Sequence, residues 1–259
     1  MNPLTRKLTA LGATAIIAVS GGVLVGPWEN RENHAYKDMV GIASICYGET
    51  RGVKMGDYRT NDQCDESLTR ELDSYNKAMK RYVKVPLKPY EEVAYTSLVW
   101  NIGETAFKNS KSVLQRLNSG DHEGACKGIL DWNKATFTAK AANVQIRNGE
   151  KCTAKGDGMF SCTVKGLTNR RLDEYKTCTG NNPKVNEALH ELSVSRNAPE
   201  TSKTEDTSIH LPEISESLVE SSDTVPEPLE EQHIVPKQQE PISEVKCSFK
   251  LLGICFQKR

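Results

Sequence analysis

The hydrophobic pattern of this 259-residue chain changes character several times from end to end. Leu8 to Gly26, LTALGATAIIAVSGGVLVG, holds 19 residues without a charge. That is long enough to span hydrocarbon as a helix. Gly12, Gly21, Gly22 and Gly26, with several Ala, Ser and Thr, dilute its aliphatic residues, so membrane insertion is expected to be weak. From Trp28 to Thr50, short apolar runs broken by turn residues predict a small sheet. Thr60-Asn-Asp-Gln63 then has the capping-box form, and Leu68, Leu72, Tyr75, Met79 and Tyr82 follow at alternating spacings of four and three. This predicts a long amphipathic helix of the kind that joins two lobes. Pro89 suits the first turn of another helix, whose apolar residues include Val93, Ala94, Leu98 and Val99. Further helix is expected through SVLQRL and from His122 to Trp132. In RNGEKCTAKGDGMFSCT, Cys152 and Cys162 flank a Gly-Asp-Gly turn, and a cystine-closed hairpin is the simplest reading. Helical pattern returns at GLTNRRLDEYKTC, and compact structure is expected to end near Gly180.

Charge divides the chain more sharply than its neutral total implies. Of 34 basic and 34 acidic residues, 8 and 14 lie beyond residue 180, which leaves 26 and 20 in the body. A basic body suits an anionic partner such as a cell wall, a membrane surface or nucleic acid, and charge alone does not choose among them. Residues 181–245 hold 14 acidic and 4 basic residues with many Pro, Ser and Thr. Such a segment buries too little apolar surface to offset its ordering entropy, so residues 181–259 read as a disordered acidic tail with a short apolar end, CSFKLLGICFQKR.

Six of the eight cysteines (Cys46, Cys64, Cys126, Cys152, Cys162 and Cys178) fall in the body. An even number at irregular spacing favours disulfides in an oxidising compartment, and leaves their connectivity open. No close CxxC pair is present and the histidines are scattered, so no metal site is expected. Arg6 and Lys7, ahead of the apolar stretch, would keep the N-terminus in the cytoplasm and send the remainder across the membrane. A cleaved signal peptide with Ala18-Val19-Ser20 as its small-residue site is the alternative.

The candidate chemistry is Glu29, then Asp38 after eight residues, then Ser44 after five more. Alone that spacing is weak, because charged chains offer many such triplets. The flanks change its weight: WENRENHAYKDMVGIASICYGET resembles the catalytic segment of the phage-type lysozymes, glycoside hydrolase family 24. SLVWNIGETAF, FKNSKSVL and GLTNRR resemble later segments of that family, in the right order. The resemblance covers about residues 27–180 and extends to the disulfide-bearing endolysins of lambdoid phages.

That resemblance implies an α+β, lysozyme-like fold, with a small β-hairpin lobe and a larger helical lobe joined by a long helix. It implies a catalytic domain at 27–180 behind a signal-anchor at 1–26. The reaction would be hydrolysis of the β-1,4 linkage from N-acetylmuramic acid to N-acetylglucosamine in bacterial peptidoglycan, without cofactor or metal. Glu29 would be the general acid, while Asp38 and Ser44 hold the attacking water on the other sugar face, an inverting arrangement with carboxyls roughly 6.5–9.5 Å apart. Arg170 matches the family arginine that pairs with the catalytic glutamate, and for Arg171 a helix-surface position and a role in the site stand nearly level. Trp100, Phe107 and Ser110 match positions lining the saccharide cleft, although both aromatics would also suit a core. The expected partners are peptidoglycan and, through the N-terminal segment, the inner membrane, with no nucleic acid and a monomeric state. The enzyme would be membrane-tethered first and periplasmic later.

Three departures stand out: Ser44 where the family has Thr, Asn30 where it has Gly, and Glu49 where it often has His. Ser44 keeps the hydroxyl and loses the methyl that restricts its rotamer. Glu49 removes a ring partner for Asp38 and adds a like charge. Two other functions fit the same residues less well: a lytic transglycosylase, which needs no water-holding aspartate, and a wall-binding protein with weakened catalysis.

Overall fold

The computed structural model describes residues 1–38, 42–197, 249–251 and 254–256. The chain begins with α1 (Pro3–Ala10) and α2 (Ala15–Val19), and α2 runs on through a π-helical turn, Ser20–Val25, into a 3-10 turn, Gly26–Trp28. An antiparallel hairpin follows, β1 (Glu32–Lys37) with β2 (Ala43–Cys46), in a register that sets Tyr36 opposite Ser44. This is the small sheet expected from the sequence.

The long helix is α3 (Asn61–Tyr82), 22 residues or roughly 33 Å at 1.5 Å per residue. Both halves of its capping box form: Thr60 Oγ1 accepts from the Gln63 N–H at 3.2 Å, and Gln63 Oε1 accepts from the Thr60 N–H at 2.9 Å. Its N-terminal half buries Leu68 and Leu72 in one apolar cluster with Ile45, and its C-terminal half places Met79 in a second. One helix therefore serves both lobes. The Cys46–Cys64 disulfide fastens it to β2. α4 (Pro89–Ile102) is apolar nearly all round and is buried from Val93 to Ile102, as befits a central helix. Pro89 takes its first position, as the sequence predicts.

The helical lobe continues through α5 (Glu104–Lys108), a π-helical turn at Lys111–Gln115, α6 (Arg116–Asn118) and α7 (His122–Gly128). After β3 (Lys134–Thr138) and α8 (Ala139–Arg147) come β4 (Cys152–Gly156), β5 (Met159–Thr163) and α9 (Lys165–Cys178). Cys152 and Cys162 face each other across β4 and β5 and are bonded, as expected. The sequence pattern missed β3, which pairs with β5 to make a three-stranded sheet in the order β3-β5-β4. A third disulfide, Cys126–Cys178, joins α7 to α9.

The two ends of the domain differ from expectation. Residues 8–26 do not form one helix: α1 stops at a turn where Gly12 adopts φ +84°, and α2 restarts with Thr14 Oγ1 accepting from the Ile17 N–H. Among the described residues, no helix is long and apolar enough to cross a membrane. The apolar run is instead folded into the core, where Leu8, Ile17, Ala18, Val19, Leu24 and Val25 join Leu68, Leu72, Val93 and Trp100. Glycine makes this possible. A Cβ on Gly22 would lie 2.0 Å from Thr5 Oγ1 and 2.7 Å from the Thr5 backbone nitrogen, so only glycine lets the turn lie against α1.

Compact structure also runs past Gly180. α10 (Pro183–Asn197) buries Val185, Ala188 and Leu192 in the same cluster as the N-terminal segment. The N-terminal amine of Met1 meets Glu191 at 2.9 Å across that seam. Met1–Asn197 lies within one compact unit, wider at both ends than 27–180. At the C-terminus, β6 (Phe249–Leu251) and β7 (Ile254–Phe256) form an antiparallel pair within the apolar end noted in the sequence. Residues 198–248, most of the acidic tail, lie outside the described residues.

Candidate active site

The N-terminal helical run ends on Glu29. Its backbone N–H donates to the Val25 and Gly26 carbonyls at 3.2 and 3.3 Å, closing the 3-10 turn, and the residue is 6% exposed. Its Oε1 accepts from Arg170 Nη1 on α9 at 2.7 Å. Asp38, 8% exposed, follows β1 and is held by its own hairpin. Its N–H donates to the Ile42 carbonyl at 2.9 Å, and its Oδ1 accepts from the Ile42 N–H at 2.8 Å. Ser44 lies fully buried on β2, with Oγ donating to the Ile42 carbonyl at 3.4 Å. Tyr36, opposite Ser44, carries a phenol pushed up by burial first, then by the charges of Glu29, Asp38 and Glu32. Tyr36, two residues before Asp38 and paired with Ser44 across the hairpin, is one the sequence did not single out.

Behind Glu29 stands a buried ionic cluster. Arg170 donates through Nε to Glu174 Oε1 at 3.3 Å and lays its guanidinium over the Trp100 ring, 5.3 Å from the centroid. Arg171 reaches the same carboxylate, with Nη2 to Oε1 at 3.0 Å and Nε to Oε2 at 2.8 Å, and Nη2 also donates to Asn101 Oδ1. Ser97 Oγ donates to Glu174 Oε1 at 2.7 Å. Arg171 is thus not a surface residue: it is fully buried and ion-paired with the carboxylate three residues on. Desolvation pulls its pKa down to about 10 against the opposing pull of Glu174. Burying two arginines is tolerable where two carboxylates and the Asn101 amide oxygen meet them.

Three expected cleft residues prove to be interior. Trp100 is buried beneath the Arg170 guanidinium. Phe107 is fully buried and packs near Tyr95 in the second cluster, ring centroids 6.3 Å apart. Ser110 uses its hydroxyl as a cap, accepting from the Leu114 N–H at 3.0 Å. Trp100 and Phe107 are 1% and 0% exposed, while Ser110, at 6%, is no more buried than Glu29. The departure at Glu49 is also absorbed, because its carboxylate is taken by Arg59 at 2.5 Å and by Ser67. Asn30 is exposed just beyond the turn. Among the described residues, no cluster of His, Cys, Asp and Glu could hold a metal ion. A groove of about 630 Å³ between α2, α4 and α10, lined by Ile16, Tyr90 and Leu189, contains none of the candidate catalytic residues.

A buried carboxyl gripped by an arginine, with a second carboxyl at the end of the hairpin strand that follows it, is chemistry suited to splitting a glycosidic bond. Residues 26–174 match the phage lysozyme family. The chain belongs to that family. As a phage lysozyme it is a glycoside hydrolase, and its relatives make it an endolysin. It is 32% identical over 167 residues to the SAR-endolysin of Pseudomonas phage phiKMV, covering 64% of this chain and 89% of that one. To the SAR-endolysin of Enterobacteria phage P21 it is 31% identical over 143 residues, 52% of this chain and 86% of the other. Two solved structures share the fold. The muramidase domain of SpmX from Asticaccaulis excentricus gives a TM-score of 0.50 at 24% identity, covering 62% of this chain and 94% of that one. The active form of P1 phage endolysin Lyz gives 0.51 at 17% identity, covering 68% and 92%. The lysozyme-like α+β fold expected from the sequence is therefore the fold of the chain.

Proposed function

We propose that this endolysin hydrolyses the N-acetylmuramic acid to N-acetylglucosamine linkage of peptidoglycan with inversion, using Glu29 as general acid and Asp38 with Ser44 to hold the water. The observation that carries this reading is the buried Glu29–Arg170 pair at 2.7 Å, next to a hairpin that presents Asp38. Exclusion from water favours the neutral acid that a leaving oxygen needs, while Arg170 favours the carboxylate and fixes its direction. Glu29→Gln is nearly isosteric and has no acidic proton, so lysis should fall to a few per cent or less with the fold intact. A variant that keeps more than that removes Glu29 from the role. The first product should be the α-anomer with a free reducing end, and 1,6-anhydro-muramic products would move the enzyme to the transglycosylases.

The N-terminal segment supports a second part of the reading, that the enzyme is tethered in the inner membrane before it works in the periplasm. The segment is uncharged over 19 residues, and two relatives are named SAR-endolysins. A membrane-spanning helix is incompatible with the break at Gly12, with the Gly22–Thr5 approach and with the 3-10 turn that mounts Glu29. Leaving the membrane and building the acid's mount would then be one event. Collapsing the membrane potential should shift uncleaved protein into the soluble periplasmic fraction. A soluble form that begins near Gly21 would make the segment an ordinary signal peptide.

A further inference from the structure

A general acid beside an arginine raises a physical problem, since the cation draws the proton off the group that must deliver it. In this chain the cation is shared. Arg170 faces Glu29 through Nη1 at 2.7 Å and Glu174 through Nε at 3.3 Å, and Arg171 is turned away toward Glu174 and Asn101. Arg170 pairs with Glu29 directly, Arg171 and Glu174 stand behind it on α9, and on the hairpin side the Tyr36 phenol feels Glu29, Asp38 and Glu32. α4 adds only neutral groups to the cluster: Ser97, Trp100 and Asn101. With Glu29 protonated the buried cluster carries one net positive charge. Without Glu174 it would carry two.

We propose that Glu174 is a positioning residue for the reaction: it aims Arg170 at Glu29 and, by sharing that guanidinium, leaves Glu29 able to keep its proton. Glu174 touches no reacting atom and acts through the two arginines it holds, Arg170 and Arg171. This rests on Glu29 being the acid.

The test is the pH dependence of lytic rate for the full oxidised chain and two isosteric variants with opposite charge changes. Glu174→Gln removes a negative charge, so the alkaline limb should move to lower pH by about one unit. That is the size expected for a charge several ångströms away at an effective dielectric near 20. On that limb the rate should fall about tenfold at fixed pH. Asn101→Asp adds a carboxylate on Arg171, so its alkaline limb should move to higher pH. A merely structural cluster predicts losses of one sign that do not depend on pH. If Glu174→Gln does not fold, Asn101→Asp decides alone: an unmoved limb overturns the proposal and an upward shift sustains it. Glu29→Gln run in parallel separates the two claims. Retained lysis there defeats the acid assignment, whereas lost lysis with unmoved limbs in the other variants defeats only the role of Glu174.

Discussion

Asp38 and Glu29 are held in place by different kinds of structure. Asp38 donates its N–H to the Ile42 carbonyl and accepts the Ile42 N–H at Oδ1, from four residues away in the same hairpin. Glu29 is gripped by Arg170, 141 residues away in sequence, and stands on a helical run whose packing involves α1, α3, α4 and α10. One carboxylate is set by local turn geometry, and the other is set by the completed fold. Local perturbations should therefore spare the Glu29 side, and anything that loosens the N-terminal layer should disable it first.

The largest expected effect comes from the N-terminal layer. Gly22→Leu drives a side chain into the Thr5 backbone, so protein refolded without membranes should lose essentially all lysis and its cooperative melting. Clear lysis by that refolded variant would show that the layer tolerates disruption. Next comes Arg170→Met, which removes the cation that Glu29 and Glu174 share. Breaking such a buried pair costs about 3–5 kcal/mol. Thermal melting should then drop by on the order of 10 °C, with catalysis lowered further than stability explains.

A smaller effect is expected far from Glu29. Replacing Cys152 and Cys162 by serine opens a short loop worth about 2–3 kcal/mol. It should lower the melting temperature while leaving lytic rate at moderate temperature within about twofold, because that hairpin touches neither carboxylate. The smallest effect is Ser44→Thr, which restores the rotamer-limiting methyl at a fully buried site. Its lytic rate should rise by no more than about threefold, or about 0.65 kcal/mol at the barrier. A tenfold fall would mean that β2 has closed around serine.

These contrasts follow what the sequence could and could not reveal. Thr60, Gln63 and Pro89 act through neighbours a few residues away, so their caps were legible as motifs. Cys152 and Cys162 flank a turn that brings them together. The apolar run at 8–26 was not legible in the same way, since an uncharged stretch reads alike as a membrane helix and as a buried one. The break at Gly12 and the close approach of Gly22 to Thr5 separate the two. α10 did carry a signal: Val185, Ala188, Leu189 and Leu192 fall on one helical face, but its polar surroundings made it read as tail. Arg171 and Glu174 escaped because charged residues are rarely fully buried, and their pairing depends on contacts from α4. Trp100 and Phe107 matched cleft positions by motif, and their burial became visible only with the fold.

The dependence of Glu29 on the N-terminal layer is tested most directly by comparing the lytic rate of the full oxidised chain with that of a chain starting at Gly26. The shorter chain keeps Glu29, Asp38, Ser44 and Arg170 and loses α1, α2 and the π-helical turn. It should clear peptidoglycan at no more than about one hundredth of the full-length rate, a barrier difference of about 2.7 kcal/mol, and should lack a cooperative melting transition. Clearance at close to the full-length rate would contradict the account, because the acid would then be placed without the structure argued to place it.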